Sequence, residues 1–336
     1  MFTASAYSGT FFEDSKPVPF TIEAGFSKAF QEAYAGLPDG IFPPQRLKEP
    51  FEGILPEQNI AVVLKVRGNS SLQECSFPKL SLKFLERSAD FGNLKHLKIG
   101  THCGDEATTG TIGRLRNEEA AVREEVVYRL AKNIGIKIQR TRPALIKYIE
   151  TGTEPSFGSP AVRKAFLLED IDDLASELGG VAEKDPATLP GDAASLIDSA
   201  TLLRIHMFHA LVGNWDWSVT GNDGNGSRFW NTEVVRMADG KILPVPKDFD
   251  LASFVTGSIR GSMTAKPTCA EYERMMSDDL ARHTADFTRP EVNAMSEEFL
   301  KAKAALYDLI AQSGINTAGK TIARAHLDAF YKLIKK

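Results

Sequence analysis

The residues whose types and spacing carry the most chemistry lie between Gly213 and Phe254. Asp216 stands in Asn214-Trp215-Asp216-Trp217, just after an apolar helical stretch. Asn231 opens a short apolar run after a Gly/Asn-rich loop, and Asp248 and Asp250 flank Phe249 after a further turn. A carboxylate, then an Asn, then a carboxylate pair is the order in which many phosphotransferases set out a metal–phosphate site. The first carboxylate serves the acceptor hydroxyl. The Asn and the later Asp hold Mg²⁺ against the nucleotide phosphates. Such chemistry asks the protein mainly for position and charge neutralisation. The donors are hard oxygens, which suit Mg²⁺ or Mn²⁺, and no soft-ligand cluster competes for the role. On this reading Asp216 is catalytic, and Asn231 with one of Asp248 and Asp250 binds metal, Asp248 being favoured by position. The plainer reading of each Asp is a turn residue. Asn222 and Asn225 rival Asn231, but they lie in a Gly-rich loop where Asn serves turns.

A site of this kind also needs a cation on the α/β-phosphates and a helix carboxylate to hold it. Lys79 and Lys83 project from the polar side of the alternating stretch Phe77 to Phe84. Their partner is Glu119 or Glu124 on the following helix, and spacing alone does not choose between them. A lone strand lysine is ordinarily solvated surface. The turn from Arg67 to Ser71, with Ser70 in its middle, could cradle phosphate through backbone N–H groups and the Arg67 side chain. Any strand–turn–strand can read this way, and neither a Gly-x-Gly-x-x-Gly nor a Walker A motif is present. His206 and His209, three apart on an apolar helix, read as core histidines in preference to metal ligands.

The elements that must position these residues follow from periodicity. Val18 to Ala24 reads as a strand followed by a helix, and Pro38 to Pro56 as a Pro-rich loop. Ile60 to Arg67 and Phe77 to Phe84 read as strands around a turn, with Leu80, Leu82 and Phe84 on one face. Leu94 to Gly100 is a further short strand. Glu118 to Ile134 reads as a helix capped by Asn117 and ended by Gly135, with Val122, Val126, Leu130 and Ile134 spaced by four. Pro143 to Glu150 and Val162 to Glu169 read as strands, Asp170 to Leu178 as the start of a helical region, and Ala182 to Gly191 as a polar linker. Thr201 to Val212 is an apolar helix leading to Asp216. Val234 to Met237 and Ile242 to Val245 form a hairpin about Asp239-Gly240. From Arg289 onward the pattern is helical. The expected class is α+β with a bilobal, protein-kinase-like plan: a β-rich N-lobe over residues 1–169 and an α-helical C-lobe over 170–336 that carries the metal and catalytic hairpin.

At these motifs the chain resembles the CotH (spore coat protein H) kinase-like family. Arg67-Gly68-Asn69-Ser70-Ser71 followed by Pro78 to Phe84 looks like its N-lobe signature. Phe166 to Asp172 looks like its central strand, with Glu169 on the nucleotide side. Asn214-Trp215-Asp216, Asn231 and Asp248-Phe249-Asp250 look like its catalytic and metal motifs. Leu97 to Cys103 and Pro246 to Asp250 are similar to an uncharacterised bacterial branch. The resemblance covers about residues 55–260. It implies an atypical kinase that binds ATP with Mg²⁺ and phosphorylates Ser/Thr of a protein acceptor. One departure stands out. Ser81 occupies a place where the family commonly has a basic residue, leaving Lys79 or Lys83 to supply the charge. Lys83 is favoured because it lies near the strand end. Its partner is Glu124 by family position, or Glu119 by helical face. The alternative is a nucleotide-binding pseudokinase or a structural cell-envelope protein using the fold as a scaffold. Nucleotidyl transfer from the same site is a third reading.

Composition bounds the rest. The 336 residues are 25% charged and 43% hydrophobic, enough for two lobes and a sizeable core. A net charge of −4 gives no electrostatic case for nucleic acid or anionic membrane. No run of about 18 apolar residues reads as a transmembrane helix. The N-terminus lacks a basic region followed by an apolar one. The chain is therefore expected to be cytoplasmic, or extracytoplasmic if a presequence has been removed. Cys75, Cys103 and Cys269 have no zinc-type spacing. They read as buried free thiols, with a Cys75–Cys103 bridge as the alternative for an exported chain.

Overall fold

The computed structural model describes residues 11–34, 49–68, 75–105, 115–152, 162–224, 226–260 and 267–335. The chain divides into two compact units, a β-rich N-terminal one and a largely helical C-terminal one.

The first unit takes in the described residues up to 105, Arg116–Glu125 and Arg140–Asp170. It contains β1 (Val18–Ala24), α1 (Phe26–Tyr34), β2 (Phe51–Leu55), β3 (Ile60–Val66), β4 (Leu80–Phe84) and β5 (His96–Gly100). The first half of α2 (Glu118–Asn133), β6 (Thr141–Glu150) and β7 (Val162–Leu168) complete it. Period-two alternation makes these strands. In β3, Ile60, Val62, Leu64 and Val66 are buried while Ala61 and Lys65 are exposed. β4 turns Leu80, Leu82 and Phe84 inward in the same way. These residues, with Phe20, Ile22, Leu97, Ile99, Ile146 and Leu167, form one apolar core. Burying each such side chain stabilises the fold by about 1.5–3 kcal/mol. The strands close into a seven-stranded barrel in the order β1-β2-β3-β4-β5-β7-β6. Closure comes from β1, which pairs antiparallel with β2 and parallel with β6. A closed barrel leaves no strand edge unpaired.

Three expectations are corrected here. Phe51–Leu55 lies in the stretch expected as a Pro-rich loop, yet it is a barrel strand, paired along its length with β3. Its five residues sit between Pro50 and Pro56, too short a run to show a period. β4 begins only at Leu80, because Phe77 makes an isolated bridge to Cys103 and Pro78 has no N–H to donate. The free-thiol reading fails for two of the three cysteines. Cys75 and Cys103 are buried and joined as a disulfide, with Cα atoms 4.5 Å apart, while Cys269 is an exposed free thiol. The turn containing Ser70 lies outside the described residues.

The second unit takes in Leu115, Val126–Gln139 and the described residues from Ile171 onward. It contains the remainder of α2, then α3 (Ile171–Glu177), β8 (Gly180–Ala182), α4 (Ser199–Val212), β9 (Thr232–Met237) and β10 (Ile242–Pro246). The short α5 (Ser253–Thr256), α6 (Cys269–His283), α7 (Arg289–Gln312) and α8 (Thr317–Leu333) follow. The strands form one antiparallel sheet in the order β10-β9-β8. Helix starts are written locally. Asp198 accepts from the Thr201 N–H at the head of α4, and Thr268 with Glu271 and Thr288 with Glu291 form capping boxes on α6 and α7. α4 is buried on all sides from Ile205 to Val212, so it is the axis of this unit. The expected polar linker begins instead within β8, a three-residue strand too short to show a period. Among the described residues, no helix is long and apolar enough to cross a membrane.

Candidate active site

α4 ends at Gly213, whose φ of 60° is left-handed and whose missing Cβ leaves room for Ser253 and Met275. The chain then turns through Asn214, which is buried and bonded to His209 Nδ1 at 3.2 Å. Asn214 Oδ1 accepts the Asp216 N–H at 3.1 Å, so the Asp216 backbone is fixed by its own helix end.

The Asp216 carboxylate is held from two sides. Oδ1 accepts from Trp230 Nε1 at 2.8 Å, and Oδ2 from Asn231 Nδ2 at 3.0 Å. Asn231 Nδ2 also donates to the Asp216 carbonyl at 2.8 Å. Both partners of that amide nitrogen are acceptors, which fixes the amide orientation: the nitrogen faces Asp216 and the amide oxygen faces away. Burial pushes the Asp216 carboxyl upward from its ordinary range. The charges of Asp248 and Asp250 push it the same way, against the bonds from Trp230 and Asn231. The three carboxylates therefore feel one another.

The β9–β10 hairpin creates that proximity. Thr232 pairs with Pro246, and the Lys247 N–H continues the ladder to the Asn231 carbonyl at 3.0 Å. Asn231 thus sits beside the start of Lys247-Asp248. Both metal candidates have left-handed backbones, with φ 49° at Asn231 and 59° at Asp248. Asn and Asp tolerate that conformation better than other non-glycine residues, and such positions gather at functional sites. The Asp248 N–H donates to Tyr128 Oη at 3.1 Å. Phe249 is fully buried, its ring 5.0 Å from Tyr128 and 5.8 Å from Phe208. Asp250 is buried and Asp248 half-buried on either side of that anchor. Asn222 is exposed, and Asn225 lies outside the described residues.

The donors available to a metal are carboxylates and one amide oxygen, a hard set that fits Mg²⁺ or Mn²⁺. Among the described residues no three of His, Cys, Asp or Glu form a metal-holding group. The carboxylates are close enough to interact electrostatically without enclosing an ion. That suits a cation which takes one or two carboxylates and completes its shell with phosphate and water.

In the first unit, Lys79 Nζ lies 3.2 Å from Glu124 Oε1, with both side chains largely buried. Lys83, the lysine favoured by position, is exposed and has no ion-pair partner among the described residues. The two lysines share one side of the chain. Lys79, however, sits before the strand proper, at the end where Glu124 lies. Glu119 is 3.7 Å from Lys164. Ser81 Oγ donates to the Lys65 carbonyl at 3.4 Å and supplies no charge. Glu169 is fully buried and bonded to Arg140 through the backbone N–H at 3.0 Å, Nε at 3.1 Å and Nη2. Its carboxylate therefore ties β6 to the end of β7. Arg67 is half-buried, and its N–H donates to the Lys79 carbonyl at 2.7 Å.

Sequence reasoning misses Trp230 and Tyr128. Trp230 has a usable signal, a large aromatic next to Asn231. Tyr128, a helix residue far along the chain, has none.

No family profile matches the chain, and no curated protein does. Among solved structures, it is similar to the Helicobacter pylori proinflammatory kinase CtkA, at 10% identity and a TM-score of 0.42. The match covers 76% of this chain and 94% of that one. So loose a likeness carries no argument about fold or chemistry.

Proposed function

We propose that this protein is an atypical, CotH-like phosphotransferase with a kinase-like fold, moving the γ-phosphoryl group of Mg-ATP to a Ser/Thr hydroxyl of a protein acceptor. The observation that carries the reading is the Asp216 carboxylate, gripped by Trp230 and Asn231 and raised by burial and by the charges of Asp248 and Asp250. A raised carboxyl suits a residue that takes a proton from an acceptor hydroxyl. Asn231 and Asp248 are assigned to the metal, with Asp250 as a secondary ligand. Lys79, held by Glu124, is assigned to the phosphates. Arg67, Ser70, Glu119 and Glu169 complete the nucleotide-side assignment as weaker members, and Lys83 drops behind Lys79. When bound, the metal neutralises phosphate charge. The chain's own residues orient the phosphates and accept the acceptor's proton.

Ser81 favours a second reading. With no basic residue there, the chain could serve as a nucleotide-binding pseudokinase or envelope scaffold. ATP turnover with and without Mg²⁺ and Mn²⁺ separates the two, combined with mass spectrometry of the protein for added phosphate or AMP. Metal-dependent turnover with added phosphate supports the kinase. Added AMP would move the reading to nucleotidyl transfer. Metal-independent binding without turnover would favour the scaffold.

A further inference from the structure

Close to Asp216, the second unit buries a charged network that the proposed chemistry does not use. His206, on α4, is almost wholly buried. Its Nδ1 lies 2.7 Å from the His283 carbonyl oxygen, and its Nε2 lies 3.1 Å from Asp223 Oδ2. A carbonyl oxygen can only accept. Asp223 is ringed by donors as well. Its Oδ1 takes the Ser218 hydroxyl at 2.7 Å, and its oxygens take the N–H groups of Val219 at 3.1 Å and of Thr220 at 3.1 and 3.2 Å. Burial by itself would push this carboxyl up, but the bonds from His206 and Ser218 hold it well below the usual range. Asp223 is therefore a carboxylate. A ring with acceptors at both nitrogens must donate from both, and only the imidazolium can.

Hydrogen bonds lead from this pair to Asp216. Asp223 gathers Ser218, Val219 and Thr220 into a tight loop directly after Trp217. The Ser218 N–H donates to the Trp230 carbonyl at 3.0 Å, and the Ser218 carbonyl accepts from Thr232 Oγ1 at 3.3 Å. Trp230 and Thr232 flank Asn231, and Trp230 and Asn231 hold the Asp216 carboxylate. Gly224 seals the loop, since a Cβ there would run into the Trp217 carbonyl. Among the described residues, His209 on its own helix and His283 and Arg282 on α6 also lie near His206, with Asp279 beyond Arg282. Burial holds His209 and His283 below their ordinary range.

We propose that the buried His206 imidazolium and Asp223 carboxylate form the positioning element that keeps Trp230 and Asn231 on the Asp216 carboxylate. Its effect on turnover rests on the phosphotransfer reading, whereas its hydrogen-bond role does not.

The test is NMR of the full chain at neutral pH with ¹⁵N-labelled histidine and tryptophan, assigned by His206→Gln and Trp230→Phe. Protons on both ring nitrogens of His206 are expected, with a downfield Trp230 Nε1–H. A His206 ring carrying a single proton overturns the pair. Asp223→Asn keeps the shape and removes the charge. It is expected to strip one ring proton from His206 and to move the Trp230 Nε1–H upfield, toward a free indole. An unmoved Trp230 signal overturns the positioning role. Should that variant not fold, Ser218→Ala removes the hydroxyl bond to Asp223 while the Val219 and Thr220 N–H groups still hold the carboxylate; a smaller shift of the same signal is expected, with His206 still doubly protonated, and no shift at all overturns the positioning role. In turnover, loss of Asp223 is expected to lower kcat by about tenfold or more, as for a lost charged hydrogen bond, with ATP affinity kept. A wild type without turnover removes the phosphotransfer reading and leaves the NMR outcomes to decide this one.

Discussion

The barrel unit commits buried charge to pairs set on regular elements or just beyond their ends. Lys79 meets Glu124 on a helix, and Arg140 meets Glu169 at the strand ends. Around Asp216 the helical unit commits it to a network through loops, in which His206, Asp223, Ser218, Trp230, Asn231 and Asp216 are joined one to the next. The barrel is further tied by the Cys75–Cys103 disulfide, whereas the helical unit surrounds Trp217 with the rings of three histidines. A pair on or at the ends of regular elements needs only correct register. A loop network needs every member charged and bonded as it is, so it should be the part that pH and single substitutions disturb first.

The largest test of that contrast lies in the network itself. Asp216→Ala is expected to lower turnover by about 10²–10⁴-fold while leaving ATP affinity nearly intact. Asp248→Ala is expected to abolish metal-dependent ATP binding, and Asp250→Ala to do less. Titration calorimetry with Mn²⁺ and ATP, beside turnover, checks both. Equal metal affinity in wild type and Asp248→Ala contradicts the assignment.

Acid comes next. Burial holds His283 down to about 3 and His326 down to about 4, from an ordinary 6.5, and holds His209 lower than ordinary as well. The barrel has one such ring, His102, held at about 4. The folded groups resist protonation, so the unfolded chain takes up protons first as pH falls below 6.5. Stability from these rings is therefore complete above that pH and drains as pH drops toward their folded values, by on the order of a few kcal/mol for each ring. Hydrogen exchange should show the helical unit losing protection before the barrel. The reverse order would break the comparison.

The disulfide acts on the other unit. It closes a separation of 28 residues, and replacing Cys75 and Cys103 by Ser is expected to cost about 2–4 kcal/mol. The same exchange experiment should place the lost protection in the barrel strands, with α4 unchanged. The smallest effect separates the lysines. Lys79→Met should weaken ATP binding, and Lys83→Met should leave both binding and stability unchanged, within about 0.5 kcal/mol. If neither weakens binding, the pseudokinase reading becomes the better one.

Much of the scaffold is legible in the amino-acid sequence. β3, β4, α2, α4 and the β9–β10 hairpin announce themselves by period and caps, because each has one face in a core and one in water or a marked start and turn. β2 and β8 do not, since five and three residues are too few to show a period. The approach of Asp248 to Asn231 is implied by the hairpin. The grip of Trp230 is not, because an indole N–H seeks whichever acceptor the fold brings near.

The sequence by itself determined the approximate course of β3, β4, α2, α4 and the β9–β10 hairpin, and which carboxylates and amide carry hard oxygen donors. Local propensity and spacing carry that information along the chain. Only the tertiary structure decided that Lys79 and not Lys83 meets Glu124, that seven strands close into a barrel through the parallel β1–β6 contact, and that Cys75 joins Cys103. It also decided that His206 faces acceptors at both nitrogens. These contacts join residues distant in sequence, and their energies depend on burial and direction, which no spacing along a chain encodes.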